Sequence, residues 1–145
     1  MGNVYRALGC YDEALTAYRR AIELDPQYAY PHNGIGSVYQ LFGQHEKALS
    51  AYQKAVELAP ETGMYRASLA SILRELGREA DAQEQIRIAR PLMAKESEYN
   101  RACFEVICGN TDEALALLKV AFEKAPGLRD WARRDPDLAS RRGKL

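Results

Sequence analysis

The residues of this chain whose types could do chemistry are two histidines, three cysteines and one closely spaced Arg–Glu pair. His32 and His45 fall on different expected helices and make no HxxxH or HExxH spacing, so two imidazoles converging on a metal ion are not expected. Cys10, Cys103 and Cys108 contain no CxxC pair and leave an odd thiol under any pairing, which fits a reducing compartment, with the cytoplasm expected. Cys103 and Cys108 sit on one helix, too divergent in direction for an easy disulfide, and read as small packing residues. There is no GxxxxGK(S/T) loop, and no GxGxxG turn following a strand. Catalysis, a cofactor and a metal are therefore not expected. Arg101 and Glu105, with the basic residue N-terminal, can pair along a helix in the less favourable order. They read either as a partly buried ion pair or as a pair that recognises a partner or the C-terminal segment.

The charge balance excludes further classes. Twenty Lys and Arg residues cancel 20 Asp and Glu, so neither nucleic acid nor an anionic membrane is the expected partner. No apolar run approaches the roughly 20 residues of a membrane helix. The opening Met-Gly-Asn-Val-Tyr-Arg has no basic segment followed by an apolar block, and Arg6 stands where a myristoylation motif on Gly2 needs Ser or Thr.

The elements that position these residues come from an internal repeat. Gly9, Gly43 and Gly77 are spaced by 34 residues, as are Pro26 and Pro60, and Gly109 follows Gly77 by 32. Aligning on them brings GCYDEALTAYRRAIELDP, GQHEKALSAYQKAVELAP, GREADAQEQIRIAR and GNTDEALALLKVAFEKAP into register. One column then holds Ala14, Ala48, Ala82 and Ala114, and another Ala21, Ala55, Ala89 and Ala121. The two lie on one helical face, where a methyl group lets neighbouring backbones approach. Tyr18, Tyr52, Ile86 and Leu118 fill the gap between them. Gly2, Gly36, Ala70 and Ala102 form a second small-residue column, with Tyr5, Tyr39 and Leu73 three residues on.

The apolar period is three to four throughout, so the segments are helices. First helices are expected at about 1–8, 28–42, 62–76 and 96–108, and second helices at about 11–24, 45–58, 79–92 and 111–124. Gly9, Gly43, Gly77 and Gly109 end the first helices, and Pro26, Pro60 and Pro126 block extension of second ones. Asn110 with Glu113 reads as a capping box, and Pro91 predicts a bend or early stop near Arg90.

These columns resemble the tetratricopeptide repeat family over residues 1–126, in units of about 1–26, 27–60, 61–94 and 95–126. The resemblance implies an all-α, right-handed solenoid, an α-α superhelix of antiparallel helix pairs, with a concave groove lined by the first helices. It further implies that the groove is faced by Asn3 and Arg6; Tyr30, Asn33, Ser37 and Gln40; Met64, Ala67, Ser71 and Arg74; and Glu96, Tyr99, Cys103 and Val106. This lining is small, polar and nearly neutral, suited to hydrogen-bonding an extended or helical peptide. Members that bind the acidic tails of heat-shock chaperones use a clamp of two Lys, two Asn and one Arg. Here only Asn3 matches it, since Gly34, Met64 and Ser68 stand at the second Asn, the last Lys and the Arg positions. Such tails are not the expected partner.

Both ends depart from the repeat. Met1 falls partway through a first helix, which predicts a larger parent array, or self-association through that open end. Residues 127–145 predict a capping helix carrying Leu128, Trp131 and Ala132, then a solvated basic tail with Arg141, Arg142 and Lys144. Its LRDWARRDPDL stretch resembles the closing segment of many bacterial arrays of this kind. The function expected is a protein-interaction scaffold within a larger protein or complex. A self-assembling structural solenoid and a regulatory segment of a multidomain enzyme or signalling protein are the alternatives.

Overall fold

Glycine and proline punctuation cuts the chain into helices of similar length. The computed structural model describes residues 2–125 and 127, with side chains from residue 9 onward; among them are seven α-helices and no strand. In order these are α1 Gly2–Leu24, α2 Ala29–Leu41, α3 His45–Leu58, α4 Gly63–Glu75, α5 Glu79–Leu92, α6 Glu98–Cys108 and α7 Thr111–Lys124. Helices α2/α3, α4/α5 and α6/α7 form three hairpins, and the first helices also meet across hairpins, α2 with α4 and α4 with α6. That second set of contacts puts α2, α4 and α6 side by side along one face. The expected capping segment after residue 127 lies outside the described residues, as does Pro126.

Each hairpin turn is made by a left-handed glycine. Gly43, Gly77 and Gly109 have φ of 73°, 79° and 86°, a region that costs any other residue its Cβ clearance. The turns share one bonding scheme. Gln44, Arg78 and Asn110 donate their N–H groups to the carbonyls of Tyr39, Leu73 and Glu105, and the glycine N–H bonds the carbonyl three residues back. These bonds satisfy carbonyls that a helix end leaves open.

Three local expectations are corrected. The turn at Gly9 does not form, and α1 runs through it as one helix of 23 residues. The stretch ahead of Gly9 is about two turns long. Folding it back would give up ladder hydrogen bonds for a small buried face, so the helix continues. Helix α5 does not stop at Arg90 but carries Pro91 as its next-to-last residue. So late in a helix the missing N–H removes only one bond, and the Met93 N–H reaches the carbonyls of Ala89 and Arg90 across it. Asn110 stands at the start of α7, yet its side chain makes no capping bond there. Its Nδ2 donates instead to Glu105 Oε2 at 2.6 Å, a charge-assisted bond stronger than a neutral cap.

The alanine columns are the seams of the stack. Ala48, Ala55, Ala82, Ala89, Ala114 and Ala121 are all buried, and so are Tyr52, Ile86 and Leu118 between them. Size is traded across the seam: a Cβ added at Gly36 would come within 2.6 Å of the Tyr52 ring. Where the partner shrinks to Ile86 or Leu118, the small residue grows to Ala70 or Ala102. Ala14 and Ala21 on α1 are only half-buried, and among the described residues α1 has no hairpin partner ahead of it. Ala48→Leu should overpack the α3 seam and lower stability by roughly 1–3 kcal/mol in denaturant melts. An unchanged midpoint would show that the repeat register is wrong.

Candidate functional site

Side chains spaced by three or four residues on parallel first helices converge on a concave hollow of ≈ 660 Å³. Helix α2 contributes Asn33, Ser37, Gln40 and Leu41; α4 contributes Met64, Ser68, Ser71 and Glu75; α6 contributes Val106 and Ile107. Tyr52 reaches in from α3, because the missing Cβ of Gly36 lets its ring lie against α2.

The polar groups of the hollow are already oriented. The Tyr52 hydroxyl donates to Gln40 Oε1 at 2.7 Å and lies 3.3 Å from Ser37 Oγ. Gln40 Nε2 bridges to α4, donating to Ser71 Oγ at 3.1 Å and to Glu75 Oε1 at 3.0 Å. On the far side of Glu75, Oε2 is 3.3 Å from His45 Nε2. This chain of bonds fixes the rotamers of one groove wall, which reduces the ordering cost of any ligand that binds there. Asn33 Oδ1 is a buried acceptor facing the hollow without a hydrogen-bond partner among the described residues. The neighbouring His32 lines a second hollow with Tyr39 and Lys54. Burial first, and Lys54 second, hold its imidazole below the usual histidine range, so it is neutral at neutral pH.

Of the residues expected to face the groove, Asn33, Ser37, Gln40, Met64, Ser71 and Val106 line the hollow. Six others lie elsewhere. Tyr30 is half-exposed at the start of α2, stacked 6.0 Å from Tyr28 and edge-on to Tyr18 at 6.2 Å. Ala67 is fully buried in the main core. Tyr99 and Cys103 are buried against Leu117, Leu118, Ala121 and Phe122, because that side of α6 is the one that packs on α7. Arg74 turns along the stack, its Nε on Glu79 at 3.1 Å and its Nη1 on the carbonyl of Ile107. Glu96 precedes α6 and accepts from Asn100 Nδ2. The side chains of Asn3 and Arg6 lie outside those described. Leu41, Tyr52, Glu75 and Ile107 were not anticipated, and Ser68 only as a position where the chaperone-tail clamp fails. Three of them sit four residues beyond an anticipated one (Ser37 to Leu41, Met64 to Ser68, Ser71 to Glu75), and that spacing was their signal.

The Arg101–Glu105 pair is also corrected. Glu105 is the one charged residue buried among those described, and its partner is Arg90 of α5, at 2.6 Å. Position 101 sits on the neighbouring half-exposed edge of α6, while Arg90 approaches from across the hairpin junction with its guanidinium 5.2 Å from the Phe104 ring centre. The Glu105 hydrogen bond is the main reason the Arg90 guanidinium holds its proton more tightly than usual.

The thiols differ in access. Cys10 is exposed, Cys103 is buried, and the half-buried Cys108 thiol is pushed up to about 11, by burial first and the Glu105 carboxylate second. A thiol–disulfide reagent at mildly alkaline pH should label one cysteine of the native protein rapidly and all three in denaturant. Rapid labelling of Cys108 in the folded protein would contradict this packing.

Residues 2–41 match a family model described as TPR repeat, and residues 29–62 match one described as Tetratricopeptide repeat. No curated protein matches the chain. Among solved structures, it is similar to the type III secretion translocator chaperone SycD of Yersinia enterocolitica. Identity is 20% and the TM-score 0.61, covering 79% of this chain and 85% of that one. The same chaperone in complex with a peptide of the translocator YopD matches with 20% identity and a TM-score of 0.61 over 79% and 86% of the two chains. YrrB, described as a TPR protein with an unusual peptide-binding site, matches at 24% identity and a TM-score of 0.54, over 97% of this chain and 74% of that one. At such identities the likeness is one of fold: an all-α helical repeat superhelix.

Proposed function

We propose that this chain, which belongs to the tetratricopeptide repeat family, is a protein-interaction scaffold that holds a peptide segment of its partner against α2, α4 and α6. The observation that carries this reading is the hollow itself. Three stacked first helices present one continuous lining in which polar groups are pre-oriented by the Tyr52–Gln40–Glu75 chain of hydrogen bonds, beside apolar Met64, Val106 and Ile107. An extended peptide carries a donor and an acceptor at every residue, which suits a wall of amides and hydroxyls, and its side chains alternate toward the apolar patches. SycD with its YopD peptide and YrrB with its peptide-binding site supply the analogy of a shared fold used for peptides.

The chain works by binding rather than by catalysis, in a reducing compartment such as the cytoplasm, where its three thiols stay reduced. Among the described residues no helix is long and apolar enough to cross a membrane. An acidic chaperone tail is the wrong ligand for this groove, since no lysine or arginine lines it among the described residues and Glu75 would repel such a tail.

A random peptide display library panned on the immobilised protein tests the reading. Peptides should be enriched on the wild type and lost on Ser71→Arg, which fills the middle of the hollow while circular dichroism confirms that the fold is kept. Peptides that bind both proteins equally would overturn it.

A further inference from the structure

The hollow is electrically one-sided. Among the described side chains that line it, Glu75 is the only carboxylate, and none is Lys, Arg or His. Its two oxygens each have one polar neighbour, Gln40 Nε2 at 3.0 Å on one and His45 Nε2 at 3.3 Å on the other. A carboxylate has about four lone-pair sites, so acceptor capacity remains. The backbone adds to the same sign. Gln40 and Leu41 close α2, Glu75 closes α4, and Ile107 is the next-to-last residue of α6, so three helix C-termini meet at this end of the hollow. Each keeps a partial negative charge from its aligned peptide dipoles, although the glycine turns already satisfy most of its last carbonyls. A cation is already drawn to this end: Arg74 donates to the carbonyl of Ile107, while Glu79 holds its other face. Arg74 thereby serves the end of α6 and leaves the Glu75 carboxylate for a ligand.

We infer that the groove selects partner segments carrying a lysine or arginine, whose charged group is received at Glu75 while its aliphatic stem lies along Leu41 and Val106. The inference rests on the groove reading above and names the chemistry of the partner. Long basic side chains suit such a place, since the stem packs on apolar surface while the head stays at the polar rim. Glu75 is 43% exposed, so the attraction is partly screened and decides selectivity more than total affinity.

The test uses the whole protein and the display library, with Ser71→Arg as the blocked control and Glu75→Gln, which keeps a hydrogen-bonding group and removes the charge. Peptides that need the open groove should be enriched in a basic residue at one position. As synthetic peptides they should lose about fivefold in affinity on Glu75→Gln, with the difference shrinking as salt is raised. Groove-dependent peptides without a basic residue, or with affinities within about twofold on Glu75→Gln, would overturn the inference and leave the groove reading standing. Peptides indifferent to Ser71→Arg would overturn both.

Discussion

Replacing Phe104 with alanine should destabilise the protein by about 3–5 kcal/mol and release the last hairpin from the stack. Phe104 is carried by α6 but is almost fully buried in the core built on α3, α4 and α5, with Leu69, Ile72, Leu73 and Ile86. The other buried residues of α6 and α7 form a separate cluster. Phe104 is therefore the fully buried link between the two cores, with Met64, Ile107 and Cys108 packed at its edge. In a stack whose units touch only their neighbours, stability is a sum of unit and interface contributions, so loss of an interface anchor uncouples units instead of weakening all of them equally. Hydrogen exchange should show α6 and α7 opening before α3 and α4 in Phe104→Ala, whereas the wild type opens them together. Uniform loss of protection would show that the ring is an ordinary core residue.

The second large effect is expected at the same junction. Arg90→Ala should cost about 3 kcal/mol, because it strands the Glu105 carboxylate, 7% exposed, with Asn110 Nδ2 at 2.6 Å as its remaining side-chain donor among the described residues. Arg101→Ala, four residues from Glu105 along α6, should change stability by less than about 0.5 kcal/mol. Equilibrium denaturation of the two variants separates the alternatives: equal losses, or a larger loss at Arg101, would contradict the assignment of Arg90 as the partner. Restoring an apolar match with Arg90→Met and Glu105→Leu together should recover most of the loss, since the buried Glu105 carboxylate is held at the cost of its desolvation while Arg90 stays half-exposed. Arg90 also stacks on Phe104, so the effects of Arg90→Ala and Phe104→Ala should not add.

These two residues mark where sequence reading ended. Helices α2 to α7 were legible to within two residues, because glycine and alanine recur at fixed positions for a steric reason that any aligned copy displays. The partner of Glu105 was not legible. Arg90 lies on another helix across a loop, while Arg101 sits at the helical spacing that local rules favour. Asn110 followed by Glu113 matched a capping pattern, and a buried carboxylate nearby outbid it. Gly9 matched its column in every local respect, but a turn also needs a helix ahead of it long enough to pack.

The groove was legible as a helical face but not as a stripe on it. On α4 the steps Met64–Ala67–Ser71–Arg74 and Met64–Ser68–Ser71–Glu75 both follow helical spacing, and only packing decides between them. Ala67 goes inward because its methyl fits the core, which leaves Ser68 and Glu75 facing the hollow. On α6 the apolar side with Tyr99 and Cys103 packs against Leu117, Leu118 and Phe122 of α7, where burial of apolar surface is favourable.

The claim that α2, α4 and α6 form the binding face is tested most directly by amide chemical-shift perturbation with a groove-enriched peptide. The expected result is a contiguous set of shifts at Asn33, Ser37, Gln40, Ser68, Ser71, Glu75 and Val106, with α5 and the outer face of α1 unmoved. Shifts centred on Asp12, Thr16 and Arg20 of α1, or on Ser50 and Lys54 of α3, would contradict it.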